Sequence, residues 1–259
     1  MLGRQYSEPT MGGLTGEGGL ATALRRWQRR LAGSACAVCE RWQGEPVCAA
    51  CRSRFGTPVA RCRGCAIELP GAAAELCGPC IRHPLPLQAT VAAWAYGYPW
   101  DQLIARFKFH GGVELAGPLA DGLGAAVEAG LDAGWLALPE LLLPVPLSAR
   151  RLRERGYNQA WELARRLGRR WRLPAEPFWL ERVRETPHQA ELTRAERLHN
   201  LAAAFAVAPE ARHRLAGRHV ALVDDVMTTG STLAEAAATL RRAGVAEVQA
   251  WVLARTPDD

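Results

Sequence analysis

Asp224 and Asp225 stand side by side between an apolar run, Val220-Ala221-Leu222-Val223, and a small hydroxyl-rich stretch, Thr228-Thr229-Gly230-Ser231-Thr232. Two adjacent carboxylates can accept hydrogen bonds from a vicinal diol or face a divalent cation. The hydroxyls and amides that follow can hold a phosphate if a helix begins there, because a helix N-terminus presents unsatisfied N–H groups and a partial positive charge. Leu233, Ala236, Ala237 and Leu240 lie at helical spacing and predict that helix. A ribose carrying a 5′-phosphate suits both ends of this device.

The eight cysteines form four C-x2-C pairs: Cys36/Cys39, Cys48/Cys51, Cys62/Cys65 and Cys77/Cys80. Each pair can grip one edge of a tetrahedral zinc, and two pairs complete a closed four-thiolate site that holds structure and leaves no position for catalysis. Two structural zinc ions are therefore expected, with sequential and interleaved pairing both open. A disulfide framework is the rival, but it belongs to secreted proteins. Redox chemistry calls for one such pair, not four.

The chain has 32 basic residues and a net charge of +6, and Lys108 is its only lysine. Lys108 lies in Phe107-Lys108-Phe109-His110, where it is a candidate compact ammonium group for a ligand; a snorkelling surface lysine is the plain alternative. Arg150, Arg151, Arg153 and Arg155 follow a short apolar run and precede Gly156, which makes this segment a candidate polyanion site; a solvated helix face is the plain alternative. Arg184 to Asn200, with His188, Gln189, Arg194 and Arg197, is polar and suited to a mobile loop.

These residues need elements to position them. Apolar runs at 90–98, 140–146, 178–183, 220–223 and 245–254 read as strands. Helical patterns fall at 100–109, 113–129 and 160–171, the second interrupted by Gly117 and Pro118. Alternating strands and helices predict an α/β domain with a parallel sheet flanked by helices. Residues 1–33 read as a glycine-rich flexible tail, 34–86 as a small double zinc-ribbon module and 87–259 as the α/β domain. No run approaches the ~20 apolar residues that span a bilayer, and the start lacks a signal peptide's pattern, so a cytoplasmic protein without membrane insertion is expected.

Val220 to Thr232 resembles the phosphoribosyl-pyrophosphate (PRPP) binding signature of type I phosphoribosyltransferases. The rest of the chain, over residues 34 to 256, narrows the resemblance to the ComF family, with its ComFC-like competence proteins and GntX-like proteins. It rests on the cysteine module, Phe107-Lys108-Phe109, Pro144-Val145-Pro146-Leu147 and Arg155-Gly156-Tyr157-Asn158-Gln159-Ala160. Thr186-x-x-Gln189-x-x-Leu192, Glu196-Arg197-x-x-Asn200 and Asp224 to Thr232 complete it. The resemblance implies that Asp224 and Asp225 meet the ribose hydroxyls with Mg²⁺ close by. Thr228, Thr229, Gly230, Ser231 and Thr232 would wrap the 5′-phosphate, and Lys108 with Arg150, Arg151, Arg153 and Arg155 would lie near the pyrophosphate. His188, Gln189, Arg194 and Arg197 would belong to a movable hood. It further implies a Mg²⁺-dependent transferase of unknown acceptor acting in DNA uptake during natural transformation. Two alternatives stand beside it: a non-catalytic competence accessory protein that binds single-stranded DNA or a partner helicase, and a PRPP-sensing regulator.

Overall fold

The computed structural model describes residues 33–71, 74–109, 111–184 and 204–257. Two compact units divide the chain, residues 1–48 and residues 49–259. In the first, β1 (Ser34–Ala35) and β2 (Trp42–Gln43) pair antiparallel, with Ala35 opposite Trp42. Their connection is closed by Cys36 N–H donating to Arg41 O at 2.8 Å and by Glu40 in the left-handed region, φ 60°.

The second unit begins with α1 (Ala49–Phe55) and α2 (Gly78–Arg82). Next come β3 (Ala89–Ala95), α3 (Trp100–Phe109), α4 (Ala116–Asp132), β4 (Leu141–Pro144), α5 (Ala149–Arg155) and α6 (Gln159–Trp171). The chain continues through β5 (Leu180–Arg182), β6 (Phe205–Val207), α7 (Arg212–Leu215), β7 (His219–Met227), α8 (Ser231–Arg242) and β8 (Glu247–Arg255). β3, β8, β7 and β4 form a parallel four-stranded sheet in that order, as the apolar runs predict. Gly117 and Pro118 do not break α4: they occupy its first turn, where proline's missing N–H has no partner to lose.

The sheet is buried on both faces. Alternate residues Leu141, Leu143, Val220, Leu222, Val248, Ala250 and Val252 share a core with Leu233, Ala236, Ala237 and Leu240 of α8. Trp251 points the other way, its ring 5.5 Å from that of Trp171 at the end of α6. Each fully buried Leu or Val here contributes about 1.5–3 kcal/mol relative to exposure. Cys62, Cys65, Ala66, Leu69, Cys80 and Leu87 belong to the α8-side core as well. Polar ties reinforce this: Thr90 Oγ1 donates to Gly64 O at 2.8 Å, and buried Arg255 Nε donates to Cys65 O at 3.0 Å. The second cysteine group is thus built onto the sheet.

β5 and β6 do not join that sheet; they pair antiparallel as a separate two-stranded ribbon. No helix among the described residues is long and apolar enough to cross a membrane.

Candidate functional site

β7 carries Asp224 and Asp225 within its last four residues, not beyond its end as the apolar run alone implies, because β8 pairs with it as far as Met227 opposite Arg255. β4 stops earlier, with Pro144 opposite Val223. The two acids therefore stand where the neighbouring strand has finished, at the carboxyl edge of the sheet, where open α/β sheets bind their ligands.

Thr228 and Thr229 are exposed, Gly230 is buried, and Ser231 and Thr232 are half-buried. Gly230 precedes α8 with φ +77°, and a Cβ there would meet Met227 Cε at 2.4 Å. Only glycine fits that turn without strain. Thr229 Oγ1 lies 2.7 Å from Ser231 Oγ and accepts from Ser231 N–H at 3.4 Å. The loop is thereby wound tightly onto the start of α8, whose first amides lie among Thr228, Thr229, Ser231 and Thr232.

Asp225 is 8% exposed and its Oδ1 lies 2.8 Å from Lys108 Nζ. The Asp225 N–H donates to Asp224 Oδ1 at 2.8 Å. Burial pushes the Asp224 carboxyl up to about 7, with the Asp225 charge adding to the push, while the Asp225 amide, Lys108 and Arg182 pull it back. Both acids offer hard oxygen donors of the type a divalent cation takes, and the Asp225 carboxylate is already paired with the Lys108 ammonium.

Lys108 arrives here from the last turn of α3, and the turn between α5 and α6 anchors that end. Tyr157 Oη donates to Phe107 O, and Gln159 Nε2 donates to Lys108 O at 3.3 Å. The Arg155 guanidinium sits 4.8 Å from the centre of the Phe109 ring and donates to Gln159 Oε1 at 3.0 Å. Asn158 donates to Val145 O at 3.1 Å just past β4 and caps α6 through Ala160 N–H at 2.9 Å. The run Arg155 to Ala160 therefore ties α3, β4 and α6 together. Sequence reasoning recognised the run but missed this task, and it missed Arg182, whose only signal is its place at the end of β5.

Residues 149–155 form a helix, so the arginines are carried on a helical face, the plain alternative of the sequence reading. Ser148 Oγ accepts from Arg151 N–H at 3.4 Å as the N-cap, and Gly156 at φ 77° ends it. A Ser cap, a Gly stop and helix-favouring Arg, Leu and Glu between them leave little reason for a loop. Arg150 and Arg153 are exposed, whereas Arg151 and Arg155 are half-buried. His188, Gln189, Arg194 and Arg197 lie outside the described residues.

The cysteines group sequentially. The sulfur atoms of Cys36, Cys39, Cys48 and Cys51 lie within 4.8 Å of one another, as do those of Cys62, Cys65, Cys77 and Cys80. Cys39 and Cys48 sulfurs are 3.9 Å apart and Cys65 and Cys77 sulfurs 3.6 Å, too far for a bond of about 2.05 Å. They match the ligand–ligand edge of about 3.8 Å around a tetrahedral zinc with bonds of about 2.3 Å. Although burial opposes it, amides of Cys48, Cys39 and Val38 hold Cys36 down at about 6. Likewise amides of Cys77, Cys65 and Gly64 hold Cys62 at about 7. Burial, with the Cys62 charge adding to it, drives Cys65 up to about 11 and Cys80 higher. Four thiols this close ionise together only around a cation, so both groups could bind a metal ion. Metal analysis of the folded protein should return about two zinc per chain, and none would overturn this assignment.

The phosphoribosyl transferase domain family matches residues 154–259. "Competence protein F" of Haemophilus influenzae is 38% identical over 209 residues, covering 81% of this chain and 90% of its own length. "DNA utilization protein YhgH" of Escherichia coli (strain K12) is 36% identical over 211 residues with the same coverage. "Competence protein ComFC" of Bacillus subtilis is 28% identical over 223 residues, 82% of this chain and 85% of its own.

Proposed function

The chain belongs to the ComF family, and from that premise we propose that it binds PRPP with Mg²⁺ at the carboxyl edge of the sheet and acts on or for incoming DNA. The acid pair on β7, set directly before a phosphate-shaped loop and α8, carries this reading. Asp224 and Asp225 would accept hydrogen bonds from the ribose hydroxyls, and Thr228 to Thr232 would hold the 5′-phosphate. Arg151 and Arg155, with Lys108, would face the pyrophosphate.

A nucleophile attacking ribose C1 would then form the new bond as the C1–O bond to pyrophosphate breaks, with both electrons leaving on the pyrophosphate. The transition state resembles an oxocarbenium ion, so holding the three parts of the ligand in line and neutralising the departing charge supply most of the acceleration. Mg²⁺, when bound, supplies Lewis-acid charge neutralisation on the diphosphate oxygens.

Titration calorimetry with PRPP and Mg²⁺ should show binding that Asp224→Ala/Asp225→Ala abolishes. Lack of binding by the parent protein would sink this reading. Pyrophosphate release in the presence of a panel of bases would then find the acceptor. Arg150 and Arg153, exposed on α5, favour a second reading in which the protein also holds single-stranded DNA or a partner helicase. Charge reversal at both, followed by a salt-dependent DNA titration, tests it.

A further inference from the structure

We propose that Lys108 and a divalent cation compete for Asp225, and that Tyr157 and Gln159 are the positioning residues that keep Lys108 in the contest. The proposal rests on the reading above that PRPP binds with Mg²⁺ beside the acid pair. Three observations lead to it.

The Lys108 ammonium is bonded to Asp225 Oδ1 at 2.8 Å, with the two side chains 19% and 11% exposed. A charge pair this sheltered from water is screened little, so its attraction is several times that of a surface pair. The group that makes it is the one lysine in a chain whose other basic residues are all arginine. A guanidinium is a planar fork that addresses two acceptors at once, while an ammonium is a compact point charge of the kind a metal ion also presents. Lysine at this position places a cation's charge on one carboxylate oxygen.

The reach of that ammonium is set by the backbone of α3's last turn, and there the structure provides two restraints on consecutive carbonyls. Tyr157 holds the Phe107 carbonyl and Gln159 holds the Lys108 carbonyl. The restraints come from the turn that follows the arginine helix and from the first residue of α6, so the segment next to the one proposed to receive a diphosphate also places the lysine. When a metal diphosphate takes Asp225, Lys108 is released within range of that ligand's own negative charge. Arrival of the metal and neutralisation of the diphosphate then become one event, with the lysine exchanging one anion for the other.

Mn²⁺ alone, followed by electron paramagnetic resonance on the zinc-loaded full chain, tests this without PRPP. Lys108→Met should tighten Mn²⁺ binding about tenfold or more, since a competing charge has gone. Asp225→Asn placed in the Lys108→Met background should remove the gain, which assigns it to this carboxylate and not to another acidic surface. Tyr157→Phe should shift affinity the same way by a smaller factor, about two- to threefold; a variant that merely folded less well would lose affinity. Equal Mn²⁺ affinity in Lys108→Met and the parent overturns the competition, and equal affinity in Tyr157→Phe removes the turn from it. A protein that fails to bind PRPP in calorimetry leaves these outcomes unaffected, so the two readings fail separately.

Discussion

Replacing Cys62 by serine, or stripping the metal from its group with a chelator, is expected to lower the melting temperature of the sheet itself by roughly 10–20 °C. Cys62, Cys65 and Cys80 are buried in the same apolar cluster as Val220, Leu222 and Val252 of the sheet and Leu233 of α8. Structural zinc contributes about 10–16 kcal/mol in free zinc-finger peptides, and folded domains retain only about 5–15 kcal/mol in total. Losing even ~5 kcal/mol shifts a unit of this size by the amount stated. The ligand site should suffer too, because Leu85, at the end of the cysteine segment, reaches within 3.4 Å of where a Gly230 Cβ would stand. Loosening that segment frees the phosphate loop on one side. Scanning calorimetry, with PRPP titration on the surviving folded fraction, measures both effects. A Cys62→Ser protein that melts within about 2 °C of its parent would show that the metal group and the sheet fold independently.

Asp224→Asn should do the opposite to stability while destroying PRPP binding. The Asp224 carboxyl has an ordinary value of 3.8 and is raised to about 7 in the folded protein by burial and by Asp225. Below about pH 3 it is protonated in both the folded and unfolded chains and contributes nothing. As pH rises the unfolded chain gives up the proton first, so the folded state falls behind by about 1.4 kcal/mol for each pKa unit of separation. The deficit grows between about pH 4 and 7 and is complete above that. Asparagine keeps the oxygen that accepts from the Asp225 amide and carries no charge, so it should stabilise the protein by about 4 kcal/mol at pH 8 and by only about 1 kcal/mol at pH 4.5. Urea melts at the two pH values decide the matter: a gain that is absent at pH 8, or larger at pH 4.5, contradicts the account. Such a trade of stability for function is ordinary at ligand sites.

The sequence made some of this legible because the information was local. A four-residue apolar run, a short hydroxyl-rich stretch around Gly230 and an amphipathic helix behind it are all visible within residues 220–240. C-x2-C spacing announced metal knuckles, and sequential grouping of the pairs needed the fold. What stayed hidden was tertiary. Nothing around Lys108 names Asp225 as its partner, since the contact joins α3 to β7 across the intervening fold. Nothing around Tyr157 names the Phe107 carbonyl. That Leu180 to Arg182 pair with Phe205 to Val207, apart from the main sheet, depended on two short runs separated by a long insertion. The arginine helix was legible as one of two readings, with Ser148 and Gly156 in the sequence as its start and stop.

That helix divides its arginines in a way a loop would not. Successive residues turn about 100° around a helix axis, so Arg151 and Arg155 emerge within about 40° of each other, and Arg150 and Arg153 within about 60° on the other side. Of the half-buried pair, Arg155 lies against the end of α3, its guanidinium over the Phe109 ring. The exposed pair faces solvent, with Arg150 3.7 Å from Glu154. Two polyanions could therefore be served from opposite faces of two helical turns, one small and drawn inward, one long and lying outside, without either displacing the other.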